Sequence, residues 1–417
     1  MFADTVLLTH KKVTEGYTLC HQVLSQFGEN IPLSLHPEHK FKLIQETLGL
    51  VKSLREKDLL EMKEMDEKDS ILVKFYLLQT NAAYIAKREM HPFFACRTVQ
   101  LTMSRGLCES SIAGLVHFAI CVGKHDIDGA SRIGKAAMSC LKKRYHTSEV
   151  LPRIYGLYYG GLAHHTEPLQ SCADMLRQGF DTAMSLGETG FAFLNAAQHI
   201  GFALASGERL PTILDRADYY LKLSDVHAND FGKIFQPIYR GLISELIDKG
   251  ESISSNCHSN VAPDSFVSSI LKEVVLTAAS QFPTLMGKYG GATLILQVVH
   301  FTRAIQAFWQ GHTKRCQYYI GKYLETISDD GTICSTIIPF FDGLNTFRIL
   351  NAKSKAKLTA IPKNIKHIIG VFETLASHSS WNFRNKVRYS LSLFGARALC
   401  KLTYDISPPY SIYCNMS

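Results

Sequence analysis

The sequence predicts an all-α protein, a right-handed solenoid of helical repeats, and three observations lead there. From Leu72 to about Leu223 the apolar residues recur at three-and-four spacing. The periodic segments, about 14 to 20 residues long, are separated by short turns carrying Gly or Pro. No run of alternating apolar and polar residues competes with them as a strand. With 417 residues, of which 46% are apolar and 20% charged, the chain has ample material for a core. It is too hydrophobic for a disordered protein and too evenly mixed for a membrane protein.

The clearest unit runs from Leu169 to Leu223. Ala173, Leu176, Phe180 and Ala183 step by three or four, and so do Phe193, Ala197, Ile200 and Leu204, so each helix turns one apolar face to the interior. Phe191 and Leu194 add a second apolar side to the latter helix, as an inner helix between two neighbours requires. Gly187 and Gly207 close the two helices, because glycine enters the left-handed conformation without a Cβ clash. Pro211 then opens the next helix, where a missing N–H is tolerated. The same punctuation at Gly106, Gly123, Gly250 and Gly311 gives helix, tight turn, helix at about 35 to 45 residues per pair. Roughly 16 to 18 helices result, in a degenerate tetratricopeptide-like array.

Two stretches interrupt the pattern. Lys52 to Asp69 carries alternating charges that pair at i,i+4 on a solvated helical face. Residues 250–265, with Glu251-Ser-Ile-Ser-Ser-Asn-Cys-His-Ser-Asn260, lack periodicity and read as a loop or hinge. The expected organisation is therefore a first helical block over 1–249, the hinge over 250–265, a second block over 266–404 and an irregular tail over 405–417 with Pro408-Pro409.

Charge and targeting signals are equally plain. A net charge of +8 arises from scattered residues, so nucleic-acid binding is not expected. The N-terminus lacks a basic region followed by an apolar one, and Ala292 to Val299 is too short for the roughly 18 residues of a spanning helix. Eleven cysteines, with no C-x-x-C pair, read as small core residues of a reduced, cytoplasmic protein without membrane insertion.

Few motifs carry chemistry. Gly129-Ala-Ser-Arg-Ile-Gly134-Lys135-Ala136 has the spacing of a phosphate-binding loop. It lacks the Ser or Thr after the lysine and lies in a helical pattern instead of after a strand. His164-His165 with Glu167 is expected at a helix C-terminus, since adjacent histidines cannot share one helical face as metal ligands. Asp329-Asp330-Gly331 reads as a turn. Lys142-Lys143-Arg144 and the lysines at 353, 355, 357, 363 and 366 lack interleaved aromatics and read as solvated surface. Tyr155, Tyr158 and Tyr159 beside Gly156, Gly160 and Gly161 fit either core packing or a groove for a partner. No catalytic residue, cofactor site or metal site is expected.

The stretches Phe93 to Gly106, Arg132 to Met138, Thr166 to Met175, Cys20 to Pro32, Gly179 to Gly187 and Ser380-Trp-Asn-Phe-Arg-Asn-Lys386 carry a resemblance. The chain resembles the tetratricopeptide-like region that follows the AAA/STAND-type ATPase module in large multidomain signalling kinases. In that family a protein-kinase-like domain and a histidine kinase or nucleotide cyclase often share the polypeptide. The resemblance spans most of residues 15 to 390 and rests on patterned helices. No phosphate-binding loop, kinase loop or phosphoacceptor motif is recognisable, so none of the family's ATP-dependent activity passes to a residue of this chain.

What the resemblance implies is a non-catalytic scaffold or regulatory segment, with protein partners that include an ATPase or kinase module in cis or in trans. The alternative is an all-α enzyme with a buried pocket. An open superhelix favours the scaffold, and a closed bundle with converging carboxylates or histidines favours the enzyme. The N-terminal apolar residues Val6 and Leu7, followed by Tyr17, Cys20, Val23, Leu24 and Phe27, are a candidate docking surface, because a solenoid end has no preceding repeat to cover it.

Overall fold

The computed structural model describes residues 13–86, 88–123, 125–145, 150–254, 291–326, 332–353 and 363–388. These form seventeen α-helices and no strand. The first eight are α1 (Val13–Gln26), α2 (Pro37–Val51), α3 (Glu56–Glu61), α4 (Glu67–Ala86), α5 (His91–Arg105), α6 (Glu109–Val122), α7 (Ile127–Arg144) and α8 (Leu151–Gly161). After them come α9 (Leu169–Ser185), α10 (Thr189–Ser206), α11 (Leu210–Val226), α12 (Asp230–Ser254), α13 (Gly291–Trp309), α14 (Thr313–Thr326), α15 (Ile333–Lys353), α16 (Lys363–His378) and α17 (380–388).

Local chemistry explains the boundaries. Prolines open α2, α5, α8 and α11, where no N–H is needed. Gly187 and Gly207 follow α9 and α10 with φ of 76° and 80°, the left-handed cap that stops a helix. Gly106 is constrained twice. Its φ is 120°, and a Cβ there would lie 2.7 Å from the Lys63 carbonyl. That close approach lets Leu107 N donate to Lys63 O and Met65 N to Leu107 O, both at 2.9 Å. Gly311 also has positive φ. Gly123 does not: it stays right-handed at −55°, because Asp126 starts α7 without a reversal.

From α4 onward most helices pack against the next in the chain, while α1 packs on α4, α2 on α5 and α3 on α7; α4, α6, α8, α10 and α12 also touch next-but-one, forming an inner row. Inner helices are enclosed on several sides, so α6 is buried continuously from Ser110 to Ile120. In α9 and α10, Leu176, Phe180, Ala183, Phe193, Ala197 and Ile200 lie in the interior as their spacing predicts. Phe180 meets Phe193 and Tyr220 ring to ring at 6.0 and 4.6 Å, and each such phenylalanine contributes about 1.5–3 kcal/mol by burial. Leu204 is only half-buried, at the edge of two core clusters that it packs against. Later helices return to this row: α15 touches α10 and α13 touches α4, and one apolar cluster extends from Ile44 to Val387.

Several expectations change. The helix entering the anticipated hinge does not stop at Gly250, since α12 continues to Ser254; the rest of 250–265 lies outside the described residues, as do Val6, Leu7, Asp329 to Gly331 and the tail 405–417. The Lys142–Arg144 cluster is not simply solvated. Lys143 pairs with Glu56 and Arg144 with Glu64, fastening α7 to α3 and the turn after it. In α1, Cys20 and Leu24 are fully buried in clusters with α4 residues, so this part of the candidate docking surface folds back onto the chain and leaves Phe27 exposed.

Candidate functional site

The inner row brings together four polar side chains that the sequence keeps apart. On α6, His117 and Cys121 are four residues apart and share one helical face. On α5, Pro92 sits in the first turn, which makes His91 the first helical residue and aims its ring at α6. Asn81 comes from α4. Cys121 Sγ lies 3.5 Å from His91 Nδ1, His91 Nε2 lies 3.0 Å from His117 Nδ1, and His117 Nε2 lies 3.0 Å from Asn81 Oδ1.

This geometry gives the chain a direction. An amide oxygen only accepts, so His117 carries its proton on Nε2 and donates to Asn81. Its Nδ1 then accepts from His91 Nε2–H, which leaves the His91 Nδ1 lone pair to accept the Cys121 S–H. Burial holds His117 well below the usual imidazole range, and the Arg153 guanidinium, like His91 whenever it is protonated, acts in the same direction. The Arg153 guanidinium lies over the Phe191 ring at 4.4 Å, carrying the cluster onto α8 and α10. Tyr84 closes the other side, its ring 5.3 Å from that of His91.

Cys121 differs from the other described cysteines. Cys20, Cys96, Cys108, Cys140, Cys172, Cys316 and Cys334 are buried, whereas Cys121 is half-buried. Burial pushes the Cys96 and Cys316 thiols up to about 12, and raises Cys140 and Cys172 as well. These thiols stay protonated and inert. A thiol beside an unprotonated imidazole nitrogen has the parts of an activated nucleophile.

Three further histidines, His199, His164 and His165, are structural in their contacts. His199 Nδ1 lies 2.7 Å from the Tyr220 hydroxyl, and burial, with Arg216 and Arg177, lowers it to about 3. His164 and His165 occupy a 3-10 turn at Ala163–His165, where His164 Nε2 meets Thr336 Oγ1 at 3.1 Å. Burial, with His378, lowers His165 to about 4, and Glu167 accepts from the Tyr158 hydroxyl at 2.7 Å. No group of three or more His, Cys, Asp or Glu side chains is arranged to hold a metal ion among the described residues.

The phosphate-loop spacing resolves into helix packing. Gly129 N donates to the Asp126 carboxylate at 2.8 Å, so a helix cap occupies the place an anion would take. A Cβ on Gly134 would lie 2.6 Å from Leu162 Cδ2 and 2.9 Å from Tyr158 Cε2, which accounts for that glycine. Tyr155, Tyr158 and Tyr159 are 4%, 2% and 5% exposed. Of the two readings they allowed, the structure takes core packing, because the small residues beside them let helices close over the rings. The thiol–imidazole chain itself escaped the sequence analysis. Its one legible signal is the four-residue spacing of His117 and Cys121; the approach of α5 and α4 has no local signature.

No family model, curated protein or solved structure matches the chain.

Proposed function

We propose that the chain is a non-catalytic helical-repeat scaffold, a right-handed solenoid that holds a protein partner, and that the partner is an ATPase or kinase module in cis or in trans, as the sequence resemblance implies. The observation that carries this reading is the large apolar side chains left in water on and before α2. Leu33 is 91% exposed, Phe41 57% and Leu50 52%, on a helix whose other face is already buried through Ile44 and Val51. A helix that buries one face on the chain and leaves large apolar residues outward on the other favours a binding role. A photo-crosslinking residue placed at Phe41 in the native cell tests it. Crosslinks to a protein containing such a module, abolished by Leu50→Ser at unchanged melting temperature, support the reading. Absence of any crosslinked protein, or partners without such a module, overturns it.

A second reading, an all-α enzyme, is favoured by the histidines converging at Cys121 and by the later helix α13 returning to the inner row at α4. Steady turnover of a substrate, lost in Cys121→Ser, would separate it from the first.

A further inference from the structure

We propose that Cys121 is a reactive thiol that undergoes thiol–disulfide exchange with low-molecular-weight disulfides, using His91 as its proton acceptor and His117 and Asn81 to position that ring. The inference stands on the geometry of the four side chains and is independent of the scaffold reading.

Three observations bear on the sulfur. His91 Nδ1, 3.5 Å away, is left with its lone pair toward Cys121 by the direction of the hydrogen-bond chain. Among the described cysteines only Cys121 is half-buried and the other seven are buried, so it is the described cysteine most open to a small reagent. The third is charge: Cys121 sits in the last turn of α6, whose dipole disfavours a thiolate, and the cationic Arg153, acting through His117, works against that. The charged and titratable neighbours include His91 and Tyr84, with Arg153 acting through His117.

The step balances without another reactant. The Cys121 proton passes to His91 Nδ1, and His91, now protonated, donates through Nε2 to His117. The thiolate attacks one sulfur of the disulfide RS–SR. The Cys121 S–S bond forms as the RS–SR bond breaks, and RS⁻ leaves and takes the proton back from His91. The products are a mixed disulfide at Cys121 and RSH, with no net change in electrons.

The test uses the full chain and oxidised glutathione, with modification read cysteine by cysteine by peptide mass spectrometry over a range of pH. Cys121 is expected to react about tenfold or more faster at pH 7 than any of the seven buried cysteines, reversibly on adding dithiothreitol. Its rate is expected to level off below the ordinary thiol value of about 8.5. His91→Asn should lower the rate at pH 7 about tenfold and move the profile up toward that value. Asn81→Leu, at a half-buried position, should move the profile in the same direction by less. If His91→Asn does not fold, the parent's own profile still decides. An unreacted Cys121 in the folded protein, a rate no greater than that of the buried cysteines, or a profile rising only near 8.5 overturns the proposal.

Discussion

Asn382 caps α9 from across the molecule: its Oδ1 accepts from Leu169 N at 3.0 Å, while its Nδ2 donates to the carbonyls of His164 at 3.0 Å and Glu167 at 2.7 Å. Leu169 is the first residue of α9 and is preceded by Pro168, whose side chain has no oxygen to cap the free N–H groups of the first turn. The cap is supplied instead by α17. One buried carboxamide therefore closes the α8–α9 connection and joins the last described helix to the middle of the chain.

This relationship predicts a large effect from a small change. Asn382→Leu removes three hydrogen bonds and leaves buried partners unsatisfied, so it should cost about 2–4 kcal/mol of unfolding free energy. Asn382→Asp keeps the acceptor but loses both donations and should cost a comparable amount. Urea denaturation measures both. A loss below about 0.5 kcal/mol for either variant would show that the cap contributes little.

The glycines give a paired prediction. A Cβ on Gly114 would stand 2.1 Å from Thr98 Cγ2 and 2.9 Å from Thr98 Cβ. Thr98 is buried and its hydroxyl is bonded to Phe94 O at 2.9 Å, so it has no room to turn. Gly114→Ala should therefore destabilise by about 1–3 kcal/mol through overpacking. Gly241, inside α12, has nothing within 4 Å of its Cβ position, so Gly241→Ala should stabilise by about 0.5–1 kcal/mol through helix propensity. Melting curves that move in the same direction for both would contradict the packing of α5 on α6.

The neutral histidines make stability fall on acidification. His199 and His165 are lowered to about 3 and about 4 by burial, and His117 and His164 are lowered as well. Below the ordinary imidazole value of about 6.5 the unfolded chain binds protons that the folded chain refuses, so the unfolding free energy decreases as pH falls. The contribution is complete above that value and is lost between it and the lowered folded values. Each such histidine removes up to about 1.4 kcal/mol per pH unit in that window. Denaturation at pH 8, 6.5, 5.5 and 4.5 should show this slope, reduced in His199→Gln; a flat profile between 7 and 5 would contradict the burial of these rings.

How much of this was legible beforehand differs by level. The helices followed from apolar spacing at residues such as Phe180 and Ile200, and the stops at Gly187 and Gly207 from glycine's conformational freedom, because both are local properties. Leu204 and the tyrosines needed the tertiary arrangement: a periodic face does not reveal how completely neighbouring helices cover each of its residues, and a tyrosine beside glycines fits a groove as well as a core. The thiol–imidazole chain was least legible, since Asn81, His91 and Cys121 meet only through the packing of α4, α5 and α6. The same holds for Asn382, which lies 213 residues from the Leu169 N–H it caps.

Two arginines of α7 support the ends of earlier helices, and they permit a prediction about local stability. Arg132 Nη1 donates to Val51 O at 2.9 Å and Leu54 O at 2.8 Å, and Arg144 Nη1 donates to Met62 O at 2.9 Å. Val51 is the last residue of α2, and its carbonyl accepts from Leu54 N at 3.1 Å; Arg132 adds a second, charged donor there and places a positive charge at the negative end of the α2 dipole. Arg132→Ala should release that end. Amides in the last two turns of α2 should then exchange with solvent at least about tenfold faster, matching the roughly 1.5–3 kcal/mol of a hydrogen bond to a charged group. Helices distant from the contact, α13 and α14, should keep their protection. Arg132→Lys should recover part of the effect, because the ammonium keeps the charge and its donors but not the geometry by which one guanidinium nitrogen serves two carbonyls. If α2 exchanges as in the parent, or if protection falls equally throughout the protein, the arginine is not acting as a cap for α2.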